Sequence, residues 1–220
     1  MLVKKIYLSW RKGHSYDRHL VGEFKRTSSQ GLTFKYRKDD LNNAIKDGFL
    51  CYPDFPHTDK IYTSEDNVLE LISTRLINLE RLDKDRFLNF WEANDNSFDS
   101  FDVLAFTQGR LATDQFEFLG VYFPYEINSF VTEIAGLSHN LKEQNIEIEV
   151  GEELDYILDP ENRYDKNAVA VFSRNGTKIG HVKKVHNRFF YHGSRYNPTI
   201  TVKAINRNGV INDIFVKVSL

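Results

Sequence analysis

From Pro124 onward the chain is cut into short pieces. "SFVTEIAGL" (129–137), "EELDYIL" (152–158), "AVAVF" (168–172), "TKIGHV" (177–182), "TITVKAIN" (199–206) and "DIFVKVSL" (213–220) are apolar or alternating runs of five to nine residues. Asn-, Gly- and Pro-bearing turns separate them, which is the pattern of consecutive antiparallel strands. Strands this short hide their apolar faces only by curling into a closed sheet, so the pattern predicts a small all-β barrel. One helix, "KKVHNRFFYH" (183–192), interrupts it.

The first half reads differently. "LVKKIYLSW", "HLVGEFKR" and "GLTFKYR" predict three antiparallel strands, and "DDLNNAIKDGF" a short helix ending at Gly48. Pro53 and Pro56 force an irregular loop. Ser64 is expected to cap a helix over "EDNVLELISTRLINL", and Asp83 one over "KDRFLNFWEAN" with Phe87, Leu88, Phe90 and Trp91 buried. A helix over "SFDVLAFT" and a strand over "QFEFLGVYF" complete an α+β domain at 1–125, followed by the barrel at 126–220. The single Cys51 rules out an internal disulfide. With no apolar run near ~18 residues and no leader, a cytoplasmic setting is expected.

Charge is unevenly placed. Residues 1–38 carry 10 Lys and Arg against 2 Asp and Glu, residues 39–162 carry 8 against 27, and residues 163–220 carry 11 against 2. The last segment, interleaved with Tyr164, Phe172, Phe189, Phe190, Tyr191 and Tyr196, has the composition of a phosphate-binding face with stacking platforms. The other reading is that basic and acidic segments neutralise each other in the fold.

Enzyme signatures are absent from the sequence. There is no GxxxxGK[ST], GxGxxG or HExxH, and His181 and His186 are spaced poorly for one metal. Cys51 lies between aromatic neighbours without a base, and Asp114, Glu117 and Glu126 form no evident acid–base pair. No catalytic residue, metal or cofactor is expected.

The turn "DPENRYDKNAV" (159–169) suits Asx chemistry, since Asn162, Asp165 and Asn167 can bind nearby backbone amides. It also places a large ring, Tyr164, beside Asp165 and between Arg163 and Lys166. Such a ring can stack on a nucleobase while the acid accepts a bond from a sugar hydroxyl.

The stretch "VGEELDYILDPENRYDKNAVAVFSRNGTKIGHVKK" (150–184), with "IAGL" (134–137) upstream, resembles the HIRAN domain. That family joins a glycine-opened strand, an N-x-Y-D-x-N-A-[VI] turn and a G-[HY]-[VLI] strand end; the resemblance runs from Ser129 to Leu220 and is densest from Asn162 to Lys184. It implies an OB-like barrel that holds the 3′ end of single-stranded DNA. Tyr164 would stack on the terminal nucleotide, Asp165 would engage its 3′-hydroxyl and His181 a backbone phosphate. Lys183 and Lys184 would add positive charge, within a site that also includes Asn162, Arg163 and Lys166. End-binding members carry an Arg–aromatic pair after the first G-L, whereas here Ser138 and His139 follow, leaving His139 to stack without a cation.

"HLVGEFKRTSSQGLTFKYRKDDLNNA" (19–44) is similar to the small N-terminal lobe of HipA-type toxin kinases. A convergent small sheet is the alternative. No HRD or DFG loop follows, so phosphotransfer is not expected, and the likeness implies a protein-binding piece. The sequence thus predicts a non-catalytic DNA-binding protein that recruits or regulates a partner in DNA repair, phage defence or a toxin–antitoxin system, away from membranes. The alternatives are an antitoxin-like interaction module, or a nuclease with an unrecognised site.

Overall fold

The computed structural model describes residues 2–13, 16–78, 80–137, 147–192, 195–208 and 210–220, with the backbone alone for Val210. They form two compact units, Met1–Val121 and Tyr122–Leu220.

In the first unit an antiparallel sheet runs in the order β4 (Ile61–Tyr62), β3 (Gly31–Tyr36), β2 (His19–Thr27), β1 (Lys5–Trp10), β5 (Phe116–Gly120). Four helices accompany it: α1 (Lys38–Lys46), α2 (Val68–Ser73), α3 (Lys84–Phe90) and α4 (Ser100–Thr107). Alternation along β2 and β3 turns Phe24 and Phe34 inward, where their rings meet at 4.5 Å and Phe34 stacks on Phe55 at 4.4 Å. Asp99 caps α4 by accepting bonds from the amides of Phe101 and Asp102, both at 3.0 Å.

The helix expected after Ser64 is much shorter than its apolar run. Thr63, not Ser64, caps a single 3₁₀ turn, and Asn67 then takes a left-handed conformation (φ 55°) before α2 begins. Asn tolerates that conformation, so the local break costs little. In α3 the expected buried face reduces to the flanking Trp91, and Asp83 binds Arg81 instead of capping the helix.

The second unit is a six-stranded antiparallel sheet in the order β6 (Ser129–Glu133), β11 (Val210–Ser219), β10 (Thr199–Asn208), β7 (Glu153–Asp159), β8 (Ala168–Phe172), β9 (Lys178–His181). Its two edges meet. Just past β6, Ala135 and His181 exchange backbone hydrogen bonds of 2.8 and 2.9 Å, closing the ring. Gly180 makes this approach possible, because a Cβ there would stand 2.4 Å from the Ala135 carbonyl oxygen. After β9 come a 3₁₀ turn, Lys184–His186, and α5 (Asn187–His192). Phe189 packs edge-on against Phe130 at 5.0 Å and Phe190 against Tyr156 at 4.9 Å, both fully buried. These two rings are core, not stacking platforms, because α5 turns its apolar side into the barrel.

Candidate nucleic-acid interface

The β7–β8 connection is built around one amide. The Asn162 Oδ1 accepts from the backbone N–H of Tyr164 at 3.0 Å and of Asp165 at 3.3 Å. Its Nδ2 donates to Asp159 Oδ2 at 3.1 Å and faces His181 Nε2 at 3.5 Å. Asp159 and His181 lie on β7 and β9, on either side of β8, so the Asn162 side chain lies across β8. Ala168 pairs with Asp159 and Ala170 with His181, and only such small residues leave room beneath it. Burial, and then the Lys178 charge, lower the His181 pKa against the pull of Asp159, which keeps the ring neutral and able to accept from Asn162.

Asp165 has structural duties of its own. Its Oδ1 accepts from Asn167 N at 3.0 Å, its backbone carbonyl from Ala168 N at 2.9 Å, and its Oδ2 from Asn187 Nδ2 at 2.9 Å. A carboxylate offers about four acceptor positions, so one hydroxyl donor can still be taken without displacing a bond. Asn187 is 2 % exposed, and its Oδ1 has no hydrogen-bond partner among the described residues. An amide held in that place at such a cost serves the acid it orients. At the next turn of α5, the Tyr191 hydroxyl donates to the Lys166 carbonyl at 3.3 Å, bracing the loop a second time.

Over this braced turn the Tyr164 ring is 78 % exposed. The Arg163 guanidinium lies 4.6 Å from its centroid and donates to its hydroxyl, which fixes the ring and leaves its other face open.

The remaining expected residues divide. Arg163, Lys166 and Lys184 are exposed at the surface, and so is Arg188, the second residue of α5. Lys183 is not: it is 2 % exposed and pairs with the buried Glu133 at 3.3 Å. Its expected role as a phosphate-facing cation is corrected on that ground, since the charge is already neutralised inside the barrel. His139 lies outside the described residues. Asn187 and Asp159 were not singled out by the sequence.

A closed six-stranded barrel whose β7–β8 turn presents a braced Tyr–Asp pair defines a small β-barrel module. Residues 127–207 match the HIRAN domain family, and this segment of the chain is a HIRAN domain with an OB-like fold. Among solved structures the chain is similar to the HIRAN domain of human HLTF, at 22% identity over 42% of this chain and 74% of that one, with a TM-score of 0.35. It is also similar to a Lactobacillus plantarum protein, at 13% identity over 42% of this chain and 89% of that one, with a TM-score of 0.32. A comparison with curated proteins finds no match. The similarity of the N-terminal half to HipA-type kinase lobes is not supported by these comparisons. Among the described residues no helix is long and apolar enough to cross a membrane.

Proposed function

We propose that the HIRAN barrel binds single-stranded DNA at its 3′ end, with Tyr164 stacking on the last base and Asp165 accepting the terminal hydroxyl. The carrying observation is the exposed Tyr164 ring, held by Arg163 on a turn whose amides are bound by Asn162 and Asp165. A ring fixed before the ligand arrives loses little conformational freedom on binding. The HIRAN family is a DNA-binding one, which supports the same reading. His181, neutral, would donate through a ring N–H to a phosphate oxygen, and Lys184 would supply charge. In this reading the chain is non-catalytic, and the N-terminal unit brings a protein partner to DNA ends in repair, phage defence or a toxin–antitoxin system.

The test is a fluorescence-anisotropy titration of the full chain with 5′-labelled oligonucleotides ending in a 3′-hydroxyl or a 3′-phosphate. The hydroxyl end should bind more tightly, because a terminal phosphate sets a negative group against Asp165. Tyr164→Ala should weaken binding by about 1–3 kcal/mol. Equal affinity for the two ends would remove Asp165 from the assigned role. Magnesium-dependent cleavage of either oligonucleotide would overturn the non-catalytic part.

A further inference from the structure

One face of the first unit's sheet is laid out in two rows by strand register. Lys5 of β1, Lys25 of β2 and Thr33 of β3 form one row, and Tyr7, Glu23, Lys35 and Ile61 of β4 form the next. Paired residues of neighbouring antiparallel strands share a face, and successive rows stand about 7 Å apart along the strands. Lys25, Lys35 and Ile61 are exposed, Ile61 at 61 %, so this face is turned to solvent. It is not flat. A groove of about 690 Å³ runs over Gly31 and Thr33, between the β2–β3 turn at Ser29 and Gln30 and the 3₁₀ turn that begins at Ser64. Both rims are fixed: the Gln30 amide donates to Thr27 Oγ1 at 3.1 Å and the Thr63 amide to Asp66 Oδ2 at 2.9 Å.

The cations of this face are not equivalent. Glu23 holds Lys5 at 3.1 Å and Lys35 at 3.4 Å. Burial pushes the Glu23 pKa up, but the bonds and charges of Lys5 and Lys35 pull it below the ordinary carboxylate value, so the acid stays ionised and both lysines stay engaged. Lys25, opposite Lys5, forms no salt bridge among the described residues. The groove therefore offers one open ammonium on its β2 side and, one row along on its β4 side, one open aliphatic side chain.

We propose that this groove takes an extended acidic segment of a partner protein, lying over β3, with a carboxylate on Lys25 and an apolar side chain two positions along settled against Ile61. This occupant rests on the reading of the first unit as the part that engages a protein partner, and it gives that partner a chemistry. Side chains i and i+2 of an extended peptide point the same way about 7 Å apart, which is the step between the two rows. Gly31 and Thr33 are small enough to let a backbone lie over β3, and rims that are already ordered lower the cost of binding. A nucleic-acid strand suits the groove less well, because its repeated phosphates would meet Glu23 in the face and Glu65 at the rim as well as Lys25.

The probe is a phage library of random twelve-residue peptides, panned on the immobilised full chain and on Lys25→Glu and Ile61→Ser variants, both of which replace solvent-facing side chains. The wild type should enrich peptides with Asp or Glu two positions from a Leu, Ile, Val or Phe. A labelled synthetic copy of the most enriched peptide should lose about tenfold in affinity on each variant, the scale of one charged hydrogen bond or one covered apolar side chain. If the enriched peptides lack an acid, or if either variant keeps full affinity, the groove is the wrong place and the partner-binding reading stands on another surface. If no peptide is enriched over a bare support, that reading falls and the groove with it. A tenfold loss of oligothymidylate affinity on Lys25→Glu would make the groove a nucleic-acid site and overturn the acidic segment.

Discussion

The two units use their basic side chains in opposite ways. In the first, Arg26 is enclosed: it donates to Asp102 Oδ1 at 2.7 Å and to the Val3 carbonyl at 2.8 Å, also pairs with Asp99, and lies 4.8 Å over the Phe101 ring. Arg75 pairs with Asp114 at 2.6 Å over the Tyr52 ring, and Arg18 meets the buried Glu117 through one hydrogen bond and one ion-pair contact, each at 3.1 Å. In the second unit Arg163, Lys166, Lys184 and Arg188 stand at the surface. Lys183, paired with Glu133, is the departure from that habit. A guanidinium enclosed by carboxylates holds a fold together, whereas an exposed cation near an open aromatic ring is available to a phosphate. Within the basic first 38 residues the arginines Arg11, Arg18 and Arg26 are therefore spent on internal pairing while lysines such as Lys4, Lys12, Lys25 and Lys38 stay exposed, whereas in the basic last 58 the arginines Arg163, Arg174, Arg188, Arg195 and Arg207 are all at the surface.

The largest effect should come from breaking an enclosed pair. Asp102 is fully buried and accepts from the Val3 amide at 2.8 Å as well as from Arg26. Asp102→Ala leaves the guanidinium enclosed with less compensation and should cost about 3–5 kcal/mol, read from a urea transition. Glu133→Ala, which strands Lys183 in the barrel, belongs to the same class and should cost as much. A loss below 1 kcal/mol in either unit would show that water reaches the charge, and the contrast drawn above would blur.

Gly180→Ala tests the barrel's closure. Its Cβ would meet the Ala135 carbonyl oxygen at 2.4 Å and Ile134 Cγ2 at 2.6 Å, so the bridge between the two edges has to open. Overpacking of this kind costs about 1–3 kcal/mol, and the urea midpoint should fall accordingly. An unchanged midpoint would mean that the ring closes elsewhere.

Asn187→Leu separates support from stability. Leucine removes the donor to Asp165 but also an orphaned buried oxygen, and these changes offset, so the urea midpoint should move by less than about 1 kcal/mol. The preference for a 3′-hydroxyl should fall, since Asp165 loses the bond that aims it. A variant with unchanged end preference would make Asn187 a packing residue only.

Much of the barrel was legible because alternation reports a strand directly. The six runs after Pro124 correspond to β6 through β11, and the Asx-rich turn sits where its Asn and Asp residues place it. That the sheet closes was expected, but the residues that close it were not legible. The Ala135–His181 bridge joins residues 46 positions apart through backbone atoms, and Gly180 reads locally as an ordinary strand glycine. Phe189 and Phe190 look like stacking rings in a basic segment until α5 turns them inward. β4, two residues in a proline-bounded loop, is too short to leave a periodic signal.

The smallest expected effect is the one that tests the comparison most finely. Lys183 and Lys184 are adjacent and indistinguishable in sequence, yet one is sealed against Glu133 and the other faces solvent. Binding that releases counterions from DNA weakens with salt in proportion to the phosphates contacted, so each surface cation that meets a phosphate adds about one unit to the log–log slope. Lys184→Ala should lower that slope by about one. Lys183→Met removes the same formal charge and should leave the slope where it was, because a cation neutralised in the interior displaces no counterion. If both substitutions lower the slope equally, the Lys183–Glu133 pair opens when DNA binds, and the barrel's buried charge belongs to its ligand site after all.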